Sequence, residues 1–167
     1  TRLRVRAAIA ELGYRPNRAA RALVTGRSQL IGVVTLNSTL FGPASMLSAV
    51  ERAAAEAGFA VSVSSVDNLD RRSISDAVER HLDHGVAGLV VIAPVVAANA
   101  AVDEIPAGIP LVTIDGDPQR STALATVDQV AGAYAATRHL LDAGHRTVWH
   151  VSGPLEWFDT AGRVERF

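Results

Sequence analysis

The chain alternates between short apolar runs rich in β-branched residues and longer segments with the spacing of an amphipathic helix. The apolar runs predict strands over residues 30–36, 59–65, 87–93, 111–115 and 147–152, with a weaker one over 123–127. The predicted helices cover residues 45–57, 71–84 and 129–143, and they end at Gly58, Gly85 and Gly144. Because the strands are apolar on both faces, the sequence predicts an α/β fold with a parallel sheet covered by helices on both sides.

Missing residue types exclude several kinds of chemistry. The 167 residues contain no cysteine, which excludes disulfides, thiolate nucleophiles and cysteine zinc ligands. All sixteen basic residues are arginine, so a P-loop, a kinase-type ATP site and a lysine Schiff base are excluded from this chain. We therefore expect no cofactor. His81 and His84 have a spacing that can bind a metal, but no third ligand accompanies them, and we expect no metal site.

The sequence shows no membrane or export signal. Its apolar runs are too short to span a bilayer, and no apolar leader with a small-residue cleavage site opens it. We expect a cytoplasmic protein without a membrane partner.

Charge divides the chain unevenly. The first 27 residues hold seven arginines against the single acid Glu11, a net charge of +6, whereas the remainder balances nine arginines against sixteen acids, a net charge of −7. A basic arm on an acidic body is expected when one end of a protein meets a polyanion. The alternative is an arm that is merely solvated.

The basic arm cannot build a core of its own. Val5, Ala8, Ile9 and Leu12 mark one apolar face of a short helix that ends at Gly13. A second short helix is predicted over residues 18–24.

This second helix begins after Asn17, a good N-cap, and its only large apolar residues are Leu23 and Val24. It is shorter than the roughly 12 to 15 residues that an isolated helix needs in water. Its alanines suit the close approach of two such helices in a minor groove, where Leu23 could wedge between base pairs. The alternative is that Leu23 packs on its own core.

The basic arm and the residues that follow it resemble a known protein family. The stretch "VRAAIAELGYRPNRAARALVTGRSQLIGVV" is similar to the end of the headpiece, the hinge helix and the first core strand of the lac repressor/galactose repressor family. Further family features follow in order: "VAGLVV", "IPLVTID", "VDQVAGAYAATRHLLDAGHR" and "SGPLEWFDTAGRVERF". The resemblance covers the whole chain and implies a periplasmic-binding-protein-like core of two α/β subdomains behind a helical DNA-binding headpiece.

The resemblance also divides the chain. It implies that residues 1–27 are the end of the headpiece and the hinge helix, residues 28–144 the N-terminal effector-binding subdomain, and residues 145–167 the start of the C-terminal subdomain. By comparison, the helix that reads the major groove precedes Thr1, and the second subdomain is not completed.

Carried over residue by residue, the resemblance makes Leu23 the minor-groove wedge and Tyr14 a headpiece residue near the DNA backbone. The DNA-binding residues that it implies are Tyr14, Asn17, Arg18, Ala20, Arg21 and Leu23.

Ligands of an open parallel sheet collect beyond the carboxyl ends of its strands. Asp115 ends a predicted strand and resembles the family's cleft aspartate, where a carboxylate can accept from two vicinal hydroxyls. Its alternative role is an Asx turn with Gly116. Arg163 matches the cleft arginine, whose planar fork of donors can hold sugar hydroxyls. Arg166 departs from the family, which usually has glycine there.

Apolar side chains complete the predicted effector site. The segment "TLFGPASM" resembles the lac-type branch, so Phe41, Pro43 and Met46 would form an apolar wall, although Met46 also suits ordinary helix packing. Trp157 would stack on a pyranose ring, or else belong to a core or interface. Asp128 is better explained as a helix N-cap than as a ligand contact.

These features predict a DNA-binding transcriptional regulator, a repressor whose operator affinity is controlled allosterically by a small ligand between two subdomains. The expected partners are a double-stranded DNA operator, a sugar or galactoside effector, and further copies of the chain in a homodimer or higher homo-oligomer. One alternative is a secreted sugar-binding protein of the same fold, which the basic arm disfavours. Another is an α/β hydrolase using Asp115 and Asp117, but no nucleophile accompanies them, so we do not expect an enzyme.

Overall fold

The computed structural model describes residues 2–14, 24, 26, 28–37, 39–117, 119–120, 123–165 and 167. Helix α1 (Arg2–Glu11) ends before Gly13, as predicted, and every residue from 2 to 14 is exposed. The predicted second helix, over residues 18–24, lies outside the described residues apart from Val24.

Five parallel strands form one sheet in the order β2-β1-β3-β4-β5. They are β1 (Leu30–Leu36), β2 (Ala60–Val66), β3 (Gly88–Ile92), β4 (Leu111–Ile114) and β5 (Leu124–Ala125). In the centre of the sheet, Val33 of β1 lies opposite Val63 on one side and Val90 on the other. The predicted parallel α/β sheet is confirmed, and each of these five strands begins within two residues of its predicted start.

Helices connect and cover the strands. They are α2 (Phe41–Glu56), α3 (Arg71–Asp83), α4 (Asn99–Asp103), α5 (Gln129–Asp142) and α6 (Phe158–Glu165), with a 3-10 turn over Val96–Ala98. The glycines at 58, 85 and 144 follow three of them with φ of 82°, 65° and 97°, a left-handed conformation that ends a helix readily. Helix α2 begins four residues earlier than predicted, because Pro43 is tolerated in a first turn.

The core lies between α3 and the central strands. Asp70 caps α3, its side chain accepting from the Ser73 backbone N–H at 2.8 Å. The helix then buries Ile74, Ala77 and Val78 on one face, together with His81. Leu82 continues the four-residue spacing of Ile74 and Val78, yet it is only half-buried, whereas His81 is 1% exposed. A histidine therefore occupies a core position.

The prediction of a strand over residues 147–152 was wrong. These residues have no strand pairing in the structure, and Trp149 and Val151 are almost fully exposed. A strand needs a neighbour to accept and donate its backbone hydrogen bonds, and the described part of the chain places none beside this segment.

Candidate functional site

Asp115 directly follows β4, at the carboxyl edge of the sheet. Its φ is 54°, and among the described residues it is the only one other than glycine with a positive φ. Its backbone N–H donates to the Ala125 carbonyl at 3.0 Å, and its Oδ1 accepts from the Thr126 hydroxyl at 3.1 Å. The residue is only 3% exposed. Backbone conformations of this kind cost about 1 to 3 kcal/mol and cluster at functional sites.

Burial raises the pKa of the Asp115 carboxyl, and the nearby charge of Asp159 raises it further. Hydrogen bonds from Thr126 and the Val127 backbone, and the charge of Arg163, act in the opposite direction. The Asp115 carboxylate can therefore accept hydrogen bonds from a ligand, but a ligand with a negative charge would be repelled by it.

An Asx turn is present, but at Asp117 rather than at Asp115. The Asp117 Oδ1 accepts from the Gln119 backbone N–H at 2.9 Å, and its Oδ2 accepts from Asn99 Nδ2 at 3.2 Å. Arg120 lies 3.7 Å from the same carboxylate and also pairs with Asp103. Asp117 is therefore engaged in holding this loop on α4, an arrangement that does not suit the acid or base of a hydrolase.

Arg163 lies on α6 and is held by two side chains. Its Nε donates to Gln129 Oε1 at 2.7 Å, and its Nη2 lies 3.3 Å from Asp159 Oδ2, one helical turn away. Gln129 is the first residue of α5, whose N-cap is Asp128, with Oδ1 accepting from the Ala131 N–H at 2.8 Å. The N-cap interpretation of Asp128 is confirmed.

Tertiary contacts bring α6 to the sheet edge. Trp157 forms an isolated antiparallel bridge with Val95, which follows β3. The Val96 N–H donates to the Glu156 carbonyl at 3.0 Å, and the Phe158 N–H donates to Pro94 at 2.9 Å. Strand β3 lies between β1 and β4 in the sheet, and half-buried Trp157 lies beyond its carboxyl end. Helix α6, which carries Arg163, begins at the next residue.

The predicted apolar wall lies beyond β1. Phe41 begins α2 and is 86% exposed, Pro43 is buried, and Met46 is half-buried. Pro43 lines a cavity of about 190 Å³ with residues such as Asn37, at the carboxyl end of β1. These three residues and Asp115 share one edge of the sheet, and their part in ligand binding stays a prediction.

The predicted DNA contacts fall mostly outside the described residues. This holds for Asn17, Arg18, Ala20, Arg21 and Leu23. Arg166, which departs from the family near Arg163, also lies outside the described residues. Tyr14 is exposed just after α1.

Sequence reasoning missed three side chains of the site. Asp159 is four residues before Arg163, a spacing that predicts an ion pair on a helix and would have found it. Gln129 and Thr126 left no comparable signal, because each meets its partner only through the fold.

The assembled site is suited to hydroxyl groups. Carboxylates accept hydrogen bonds, while a guanidinium and an amide donate them, and together they match the mixed donors and acceptors of a polyol. Gln129 and Arg163 also line an open groove of about 360 Å³ between α5 and residues 148–150. Among the described residues, we find no cluster of three metal-ligating side chains. No helix in that part of the chain is long and apolar enough to cross a membrane.

Known proteins resemble this chain over nearly its whole length. It is 32% identical over 156 residues to the lactose operon repressor of Escherichia coli K12, covering 93% of this chain and 43% of the relative. It is 31% identical to the transcriptional regulator CelR of Thermobifida fusca and to PurR repressors of Escherichia coli, covering 99% and 100% of this chain and 50% of each relative. The chain thus spans about half the length of these curated relatives. No model of a known protein family matches it.

Solved structures agree with the sequence comparison. A crystal structure of the lac repressor bound to ONPG in the repressed state superposes with a TM-score of 0.82 at 29% identity, covering 98% of this chain and 50% of the other. A structure of the lac repressor dimer bound to operator and the anti-inducer ONPF gives the same TM-score at 30% identity and the same coverage.

Proposed function

We propose that this chain belongs to the lac repressor/galactose repressor family and that it is part of a transcriptional repressor controlled by a small ligand. The observation that carries the proposal is the end-to-end likeness to three regulators of transcription. The whole protein would be cytoplasmic, would bind operator DNA as a homodimer or higher homo-oligomer, and would not act as an enzyme.

The proposed effector is a sugar or galactoside held by Asp115 and Arg163. A crystal structure shows the lac repressor bound to ONPG, and another solved structure is a complex of a CelR regulator with cellobiose. In this chain, a buried carboxylate and a half-exposed guanidinium lie close enough for their charges to interact. Vicinal hydroxyls would bridge the two groups, while Trp157, Phe41, Pro43 and Met46 would pack on the apolar face of the sugar.

The proposed DNA contact is the basic arm. Its net charge of +6 over 27 residues favours phosphate, and the exposure of residues 2–14 leaves α1 accessible. Leu23 would enter the minor groove as a wedge, with Asn17, Arg18, Ala20 and Arg21 around it and Tyr14 near the backbone.

The proposed mechanism is a coupling between two sites. Ligand binding would change the closure of the two subdomains of each protomer, shift the dimer interface and separate the paired hinge helices, so that Leu23 withdraws from DNA. A coupling of about 1 to 3 kcal/mol suffices for a change of roughly 5- to 150-fold in operator affinity.

The test is operator binding by the full-length protein. A duplex selected by that protein from a random pool is titrated by fluorescence anisotropy, with and without a panel of neutral sugars. We expect at least one sugar to lower the affinity, and Asp115→Ala and Arg163→Ala to bind DNA normally but to lose that response. The absence of any selected duplex would count against a regulator. Normal induction in both variants would remove the proposed pocket.

A further inference from the structure

We propose that the site of Asp115 and Arg163 selects an effector without negative charge, and that Asp159 is the residue that imposes this selection. The proposal rests on the ligand site proposed above and names the charge class that this site accepts. It predicts binding of neutral sugars and of sugars with an ammonium group, and rejection of sugars that carry a phosphate or a carboxylate.

The side chains of the site carry more negative than positive charge. Asp115 and Asp159 each bring a carboxylate, whereas Arg163 brings one guanidinium, and their partners Thr126 and Gln129 are uncharged. Among the described side chains that meet here, acids therefore outnumber bases. Arg120, on the loop after β4, pairs with Asp103 and Asp117, so its charge is already balanced.

The guanidinium of Arg163 already has two partners. Arg163 Nη2 lies 3.3 Å from Asp159 Oδ2, and its Nε donates to Gln129 at 2.7 Å. An anionic ligand would have to displace the Asp159 carboxylate from Arg163. It would then lie beside two carboxylates, and like charges brought together without water are strongly unfavourable. A hydroxyl can bond to the same groups without displacing either.

The charges around the Asp115 carboxyl also disfavour an anionic ligand. The charge of Asp159 raises the pKa of Asp115 more than the charge of Arg163 lowers it. At the buried carboxylate, the second acid therefore outweighs the arginine.

Asp159 is also placed where a ligand can reach it. Its side chain is 24% exposed and that of Arg163 is 48% exposed, whereas Asp115 is only 3% exposed. The simpler explanation is an ion pair that stabilises α6 slightly and has no part in ligand binding. The pair between Arg138 and Asp142 on α5 has the same four-residue spacing, at 2.9 Å, and serves as the matched control.

The experiment uses the full-length protein and two ligand series. Galactose, galactosamine and galactose 6-phosphate form one series, and the corresponding glucose derivatives form the other, all measured by calorimetry. In the series that binds, we expect the neutral and amino sugars to bind at least about ten-fold more tightly than the phosphate. Asp159→Asn should raise the affinity for the phosphate and bring this ratio close to one, while Asp142→Asn should leave it unchanged.

Two results would overturn the selection alone: tight binding of a sugar phosphate by the wild type, or an unchanged ratio in Asp159→Asn. Binding of no sugar in either series would overturn the sugar site itself, and the selection with it. Thermal unfolding of each variant identifies any that fails to fold, and Asp159→Ser provides a second substitution that removes the charge.

Discussion

Gln129 Oε1 accepts a hydrogen bond from Arg163 Nε at 2.7 Å, which joins the first residue of α5 to the last turn of α6, 34 residues further along the chain. This bond orients the guanidinium whose other nitrogen faces Asp159. Two elements that are distant in sequence therefore set the direction of one side chain.

Gln129→Ala should weaken effector binding without unfolding the protein. Arg163 would lose its strongest neutral partner and adopt other rotamers, so we expect the effector affinity to fall by about ten-fold, which is 1.4 kcal/mol. Calorimetry with a sugar that binds the wild type measures the change. Gln129→Glu, which keeps an acceptor, should restore most of the affinity, and Gln119→Ala in an exposed loop should have no effect. Equal losses in all three variants would contradict the positioning role.

Asp115→Asn should stabilise the protein at neutral pH while abolishing its response to effector. Burial raises the pKa of Asp115 above its ordinary 3.8, so the folded state holds this proton more tightly than the unfolded chain does. Stability from this group is therefore lost as pH rises from 3.8 through the folded-state pKa. The amide removes that loss, and we expect a gain of about 1 kcal/mol at pH 7.

Urea unfolding of the full-length protein at pH 5 and pH 7 measures this difference. Asp128→Asn is the control, because asparagine caps a helix as well as aspartate does. An Asp115→Asn variant that is less stable than the wild type at pH 7 would show that the ionised carboxylate is a net stabiliser.

His81→Leu should remove part of the acid sensitivity of the fold. His81 Nε2 lies 3.3 Å from the Val33 carbonyl oxygen, and its Nδ1 has no partner among the described residues. Burial lowers the pKa of His81 below its ordinary 6.5, so stability is lost as pH falls below 6.5, by at most about 1.4 kcal/mol per pH unit. Leucine has no group to protonate, so below pH 6.5 the His81→Leu variant should unfold at a higher urea concentration than the wild type.

The measurement is urea unfolding between pH 5 and pH 8. His139→Gln, on the exposed side of α5, should follow the wild type throughout. Parallel curves for His81→Leu and the wild type would show that His81 does not titrate in this range.

Gly32→Ala should destabilise the protein by about 1 to 3 kcal/mol, the usual cost of overpacking a core. A Cβ at this position would lie 2.8 Å from His81 Cγ and 2.8 Å from Leu89 Cδ2. The control is Gly42→Ala in the first turn of α2, where a Cβ meets nothing within 4 Å. Chemical denaturation measures both, and adding His81→Ala to Gly32→Ala should recover part of the loss. An equal effect of the two glycine substitutions would contradict the close contact.

Leu23→Ser should lower operator affinity at least about ten-fold, because a wedge that unstacks a base step is lost. Val24→Ser, at the neighbouring exposed residue, should have a smaller effect. Anisotropy titrations at several salt concentrations should also show affinity that falls steeply with salt, as expected if the arginines of the arm meet phosphates. Unchanged affinity in Leu23→Ser would remove the wedge from the proposal.

The sequence predicted most strands and helices because their patterns depend on near neighbours. Residues 30–36 read as a buried strand and form β1 over those same residues, and residues 71–84 read as a helix and form α3 one residue shorter. Helix α4 escaped prediction, since five residues of alanine-rich chain carry too little periodicity. Residues 147–152 looked like a strand but lack a paired neighbour in the described chain.

By itself, the sequence determined the alternation of strands and helices, the basic arm and the identity of Asp115 and Arg163 as site candidates, because each is written in adjacent residues or in a family motif. Only the tertiary structure decided that Asp159 and Gln129 hold Arg163, that Thr126 reaches Asp115 and that His81 enters the core. Those contacts depend on the register of the sheet and on the bridge between Val95 and Trp157. No local pattern specifies which distant side chains a folded backbone brings within hydrogen-bond distance.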